Sequence, residues 1–203
     1  MSEISVRLQN EVSVRVDKQV QPDSIELSLI RRVANGDEQA FVQLIAMHGD
    51  EVARLIGRLT GWHVDSDDIF QDVLLVVWQR ADRYKGEGSL IGWMKRIAVN
   101  RCRNHFRRLG GIQRKLRNFA ELILIGSKQS YESSFDEDGL DSELNKAMQK
   151  LNQTDRSLLI LFYIEEWEGA DIAKQLGIRH STLHVRLHRA RKKLEKFLIE
   201  RKD

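Results

Sequence analysis

Between Asp67 and Arg108 the chain joins an unusually apolar helix, a glycine-bearing loop and a basic helix that lacks acids, and few architectures accept that combination. The first part, Asp67-Asp68-Ile69-Phe70-Gln71-Asp72-Val73-Leu74-Leu75-Val76-Val77-Trp78, opens with carboxylates, which suit the partial positive charge of a helix N-terminus. It then stays apolar around most of its circumference. An ordinary surface helix carries a broad charged face. Here only a narrow stripe is polar: Asp68, Gln71, Asp72 and Gln79 follow helical spacing, with Leu75 among them. One side is expected to fill a core while the stripe meets a partner.

After the loop Arg83-Tyr84-Lys85-Gly86-Glu87-Gly88, Ser89 stands where an N-cap belongs, and the spacing predicts a helix to about Arg108. Leu90, Met94, Ile97, Ala98, Cys102 and Phe106 share its inner face. Trp93, Arg96, Asn100, Arg103 and Arg107 share the other, and no acidic residue occurs from Lys95 to Ala120. Solvated charged faces usually interleave Glu with Lys and Arg; a helix so one-sidedly basic expects phosphates. In the loop, Gly86 and Gly88 let the backbone approach a base, and Tyr84 either offers a ring to it or packs on the bundle.

The rest of the chain frames this stretch as an all-α protein. Among 203 residues, 41% hydrophobic, Pro occurs once, at Pro22, and no β-type alternation recurs beyond the N-terminus. That length suits two small helical domains. Net charge is only +3, from 33 basic and 30 acidic residues, so distribution carries the argument. Basic residues concentrate near 95–117 and 174–193, with Glu132, Asp136, Glu137, Asp138, Asp141 and Glu143 between them. The single Cys102 lies on an apolar face and reads as a buried, reduced thiol. No secretory apolar region opens the chain and no run approaches the roughly 20 residues that span a bilayer. A cytoplasmic protein without membrane insertion is expected.

Residues 1–23, with Ile4, Val6 and Leu8 and later Val12, Val14 and Val16 in weak alternation, read as a mobile extension. Residues 24–108 read as one bundle. Ile25, Leu29, Ile30 and Val33 mark a helix that stops at Asn35-Gly36, and Asp37 caps the next, which buries Phe41, Leu44 and Ile45. A further helix is expected after Gly49, with Val52, Leu55, Ile56 and Leu59. Gly110-Gly111 is expected to break the basic helix, and residues 109–140 to form a flexible linker, acid-rich from Gly126 onward.

The second domain, 141–203, begins with the stripe Leu144, Ala147, Met148 and Leu151; after a break at Asn152-Gln153, Thr154 is the expected N-cap of a helix burying Leu158, Leu159, Leu161 and Phe162. Gly169 to Lys193 reads as a helix-turn-helix. Ile172, Ala173 and Leu176 face inward, Gly177 supplies the turn, and Ser181 is the expected cap of the second helix. There Leu183, Leu187, Ala190 and Leu194 face the core, so His184, Arg186, His188, Arg189 and Arg191 face out. The N-terminal part of such a helix reads the major groove. His180, His184 and His188 are spaced for metal binding, but no Cys or carboxylate joins them, so no metal site is assigned. No catalytic constellation or cofactor loop is found, and an enzyme is not expected.

Asp68-Ile69-Phe70-Gln71-Asp72-Val73, Trp78, Trp93-Met94-Lys95-Arg96-Ile97-Ala98-Val99-Asn100 and Arg107-Arg108 resemble the second conserved region of bacterial sigma factors of the extracytoplasmic-function group. Ile172-Ala173-Lys174-Gln175-Leu176-Gly177-Ile178 with Leu187-His188-Arg189-Ala190-Arg191 resembles the fourth. Family members usually carry Pro where this chain has Asn152. The resemblance implies that Tyr84, Lys85, Trp93, Arg96, Asn100, Arg103 and Arg107 hold the melted non-template strand of the minus-ten element, capturing a flipped base. It implies that Arg179, Ser181, Thr182, His184, Val185, Arg186 and Arg189 read the minus-thirty-five duplex. Asp68, Gln71, Asp72, Leu75 and Gln79 would bind the clamp coiled coil of core RNA polymerase, while the second domain meets the β-flap. An anti-sigma factor would be a further partner. The rival reading is a helix-turn-helix regulator that never engages polymerase.

Overall fold

Local capping chemistry starts three of the helices of the computed structural model, which describes residues 24–62, 65–120 and 142–199. Helix α1 (Ser24–Ala34) ends at Gly36, whose φ of 84° only glycine adopts readily. Asp37 then caps α2 (Glu38–Thr60): its carboxylate accepts from the Ala40 N–H at 3.0 Å and holds Arg32 at 2.7 Å. These bonds, the Ala40 one first, hold its carboxyl below the usual range.

Helix α2 runs without interruption through Gly49, where a break was expected. A Cβ at Gly49 would lie 3.0 Å from Ile45 Cγ2 of its own helix and in ordinary contact, at 3.7 Å, with Phe70 Cζ of a neighbouring helix. That neighbour is α3 (Ser66–Gln79), which buries Ile69, Val73, Val76 and Val77. Phe41 and Trp78 clasp α2 to α3 edge to face, their centroids 5.2 Å apart. A 3₁₀ turn at Ala81–Arg83 and the glycine loop lead to α4 (Leu90–Ala120), where the Ser89 hydroxyl accepts from the Gly92 N–H as predicted. Leu90, Met94, Ala98 and Cys102 of α4 are buried against α2 and α3. Cys102 is 1% exposed, and burial pushes its thiol up to about 12.

The second correction concerns Gly110-Gly111, because the α4 backbone continues helically to Ala120. Glycine costs about 1 kcal/mol in a helix interior relative to alanine, a penalty that weakens a helix without ending it. The expected roles of residues 1–23 and of the acidic stretch from Gly126 to Gly139 lie outside the described residues.

In the second unit α5 (Ser142–Lys150) leads to α6 (Gln153–Leu159), and the cap is Asn152, not Thr154. Asn152 Oδ1 accepts from the Asp155 N–H at 2.9 Å. An Asn in extended backbone satisfies an orphan donor, which proline at that position could not do. Helix α6 widens into a π turn at Ile160–Ile164 before α7 (Gly169–Leu176) and α8 (His180–Ile199). Arg156 is buried beneath α5, where its guanidinium donates to the carbonyls of Met148 at 3.0 Å, Gln149 at 2.7 Å and Leu151 at 3.2 Å. Burial lowers its pKa. Buried apolar side chains from both units form one continuous cluster, and α2 packs on α6 while α4 packs on α7. Every regular element among the described residues is helical, as the all-α expectation requires.

Candidate nucleic-acid interface

Helix α4 presents its basic face because its other residues are consumed by the core. With Met94, Ala98 and Cys102 inside, the helical period leaves Arg96, Asn100 and Arg107 exposed and Trp93 and Arg103 half-buried beside them. Lys85 is exposed on the adjoining loop. Gly86 and Gly88 have φ of 79° and 76°, which the turn requires.

Of the two readings left open for Tyr84, its surroundings favour the packed one. It is 8% exposed, its hydroxyl donates to the Gly88 carbonyl at 2.8 Å, and its ring stands 5.6 Å from that of Trp93. Burial first, and the Glu26 charge second, raise its pKa, so the phenol keeps its proton and donates. Tyr84 therefore closes the loop into its shape, and no ring face is left for a base to stack on. Trp93 holds the aromatic position that remains partly open.

On α3 the expected stripe is intact: Asp68, Gln71, Asp72, Leu75 and Gln79 are all exposed, Leu75 at 58%. Leu75 stands beside Gln71, Asp72 and Gln79, one apolar side chain in an otherwise polar stripe. Sequence spacing did not reveal what lies alongside. Asp68 and Asp72 line a cleft of about 100 Å³ with Ile69, Arg101, Asn104, His105 and Arg108 of α3 and α4, and His105 Nε2 stands 3.1 Å from Asp65. The stripe and the basic helix are neighbours, so one cleft edge is acidic and the other basic.

The helix-turn-helix forms as the spacing predicts. Ile172 and Ala173 of α7 and Leu183, Leu187 and Ala190 of α8 are buried, with Gly177 at φ 66° between the helices. One detail is corrected: α8 starts at His180, and the Thr182 hydroxyl and N–H turn back to the Arg179 carbonyl at 2.8 and 2.9 Å. Ser181 thus lies in the first turn and is not the cap. Arg179, Ser181, His184, Val185, Arg186 and Arg189 are exposed on the outer face, with Thr182 partly so. Val185, 52% exposed, stands among polar neighbours, where an apolar side chain fits the methyl group of a thymine.

Two basic surfaces on two helical units, with a polar-striped helix beside one of them, are the arrangement expected of a nucleic-acid-binding protein. Residues 44–111 match the family described as Sigma-70 region 2, and residues 141–194 match Sigma-70, region 4. The RNA polymerase sigma factor NccH of Alcaligenes xylosoxydans xylosoxydans is 31% identical over 186 residues, covering 86% of this chain and 95% of that protein. The RNA polymerase sigma factor CnrH of Cupriavidus metallidurans is 26% identical over 188 residues, covering 87% and 96%. The fold is shared with CnrH in complex with the cytosolic domain of CnrY (TM-score 0.54, 23% identity, 87% and 99% coverage). It is also shared with the Bartonella quintana sigma factor RpoE in complex with the anti-sigma factor NepR (TM-score 0.57, 23% identity, 78% and 96% coverage). The chain belongs to the sigma-70 family, as an RNA polymerase sigma factor of the extracytoplasmic-function group.

Proposed function

We propose that α4 and the loop before it hold the melted non-template strand at the minus-ten element, that α8 reads the minus-thirty-five duplex, and that the α3 stripe docks on the clamp coiled coil of core polymerase. The second unit contacts the β-flap in this reading. The exposed row Arg96, Asn100 and Arg107, on a helix whose opposite face is core, is the observation that carries it. Arginine and lysine grip phosphates, and an exposed asparagine amide both donates and accepts, as a base edge requires. Tyr84 contributes by holding the loop, and Lys85, Trp93 and Arg103 complete the face. The protein initiates transcription without catalysing a reaction of its own and works in the cytoplasm; no described helix is long and apolar enough to cross a membrane. An anti-sigma factor is a natural regulator, since the two related folds above were captured with such partners or with a comparable cytosolic domain.

Asn100→Ala tests the strand-holding role. Core-polymerase binding should persist, while permanganate reactivity of minus-ten thymines falls by the equivalent of roughly 1–3 kcal/mol, the worth of one base contact. A promoter premelted across that element should partly rescue the variant. Normal reactivity on duplex promoter would rule out base capture by this residue.

For α8, Arg186→Ala and Arg189→Ala separate reading from gripping. Loss of a base contact should relax specificity at one position for about 1–3 kcal/mol, whereas loss of a phosphate contact should weaken all sequences and flatten the salt dependence. Titration against minus-thirty-five duplexes at two salt concentrations distinguishes them. If neither variant binds differently, α8 is not the reader.

A further inference from the structure

Helix α8 carries an apolar side chain where neither its packing nor its charge has a use for one. Leu183, Leu187 and Ala190 are buried and Leu194 packs against the same cluster, so these four fix the side of α8 that faces the core. At 3.6 residues per turn, Val185 falls on the opposite side, along the crest of the helix. It is 52% exposed. The exposed residues around it are polar: Ser181 and Arg189 stand about one turn before and after it, and His184, Arg186 and His188 lie beside it. Within α8 only Val185 and Ile199 are large, apolar and exposed, and Ile199 is the last residue of the helix.

Helix stability gives no reason for valine here. Its branched Cβ loses rotamer freedom against the preceding turn, and alanine, arginine and lysine are all better helix formers. Nor can valine attract a phosphate or complete a hydrogen bond, which is what the acid-free stretch from Lys174 to Lys193 otherwise offers. What it does present is a pair of methyl groups in a fixed orientation, because a branched side chain in a helix keeps one strongly preferred χ1 rotamer. A group set before contact gives up little freedom on making one. On the edges of base pairs in the major groove, the matching group is the C5 methyl of thymine. Position agrees with this, since Val185 is in the second turn of α8, within the N-terminal part that reaches base edges in a helix-turn-helix.

We propose that Val185 reads the C5 methyl of a thymine in the minus-thirty-five element, so that the element this chain prefers carries thymine at the position beneath the crest of α8. The proposal rests on the reading role of α8 and adds to it the identity of one base. The arginines of the same face bond to a guanine edge or to a phosphate, and neither bond senses a methyl group. Discrimination of thymine from uracil therefore reports the valine contact.

The test starts from duplexes randomised over one helical turn, from which the full chain and its Val185→Ala variant each select their binders. Alanine removes both methyl groups at an exposed position and raises helix propensity, so native circular dichroism is expected. The wild type should select thymine at a position where the variant shows no preference, with the other preferred positions kept. On the selected duplex, replacing that thymine by deoxyuridine deletes only the methyl group. Wild-type affinity should fall about fourfold, the worth of burying one such carbon, and the affinity of Val185→Ala should not change. Deoxyuridine that weakens neither protein, or both equally, overturns the contact. The same methyl group occurs on 5-methylcytosine; no thymine preference in the selection, with tighter binding when cytosine is methylated, overturns thymine as its source. A selection without any base preference, together with unchanged binding by Arg186→Ala and Arg189→Ala, overturns the reading role of α8 itself and this contact with it, whereas loss of the uracil effect alone leaves that role standing.

Discussion

Asp68→Lys/Asp72→Lys is expected to lose core-polymerase binding by on the order of a hundredfold or more while its helical circular dichroism stays native. Both carboxylates are exposed on α3, whose other side is locked into the core by Ile69, Val73, Val76 and Val77. They are the only charges in a stripe otherwise made of Gln71, Leu75 and Gln79. Truncating one partner of a buried interfacial charge pair costs about 2–5 kcal/mol, and reversal adds repulsion from a basic partner. Leu75 beside them supplies the apolar contact that excludes water. The double Asn variant should fall between wild type and the Lys pair, because it removes attraction without adding repulsion or crowding Arg101 and Arg108 in the shared cleft. Pull-down of core enzyme is the measurement. Undiminished capture by a folded Lys pair would make the stripe ordinary surface.

Arg156→Met should lower stability by roughly 2–4 kcal/mol, among the larger effects a single substitution has here. Methionine keeps much of the aliphatic stem, but the carbonyls of Met148, Gln149 and Leu151 lose their shared donor inside the protein. Each buried acceptor left unsatisfied costs about 1–3 kcal/mol. Relief of the guanidinium's own burial, visible in its lowered pKa, offsets part of that sum. For a chain of this size each kcal/mol shifts the melting midpoint by about 2–4 °C, so a drop near 10 °C is expected in a thermal melt. A shift below about 2 °C would show that water replaces the guanidinium at no cost.

The features legible in the sequence were those decided within a few residues. Asp37 and Ser89 cap as expected because a cap depends on a side chain and an N–H three positions on. The inward rows of α4 and α8 followed from period alone. Other roles are set by something distant. Gly49 looked like a stop, yet it lies inside α2, on the side that faces Phe70 of α3. For Tyr84 both stacking and packing stayed open, because its burial depends on the bundle around it. Thr154 and Ser181 are plausible caps that lost to Asn152 and to a helix begun two residues earlier, a choice too close for propensity to decide. The pairing of Glu165 with Arg58 and Lys95 had no sequence signal, since it requires the two units to be docked. Polymerase and promoter partners came from the family resemblance; composition alone, at a net charge of +3, pointed only weakly to nucleic acid.

The unbroken α2 makes a mechanical statement. A helix of 23 residues is a rod of roughly 35 Å. With no joint at Gly49, whatever tilts one end swings the other. Its last turns hold Arg58 against Glu165 and lead to Gly61, beneath which Arg156 lies. Near its opposite end Phe41 grips Trp78 of α3, the helix that bears the exposed stripe. A load applied to the stripe is therefore delivered to the far end of a stiff lever, at the seam between the two units.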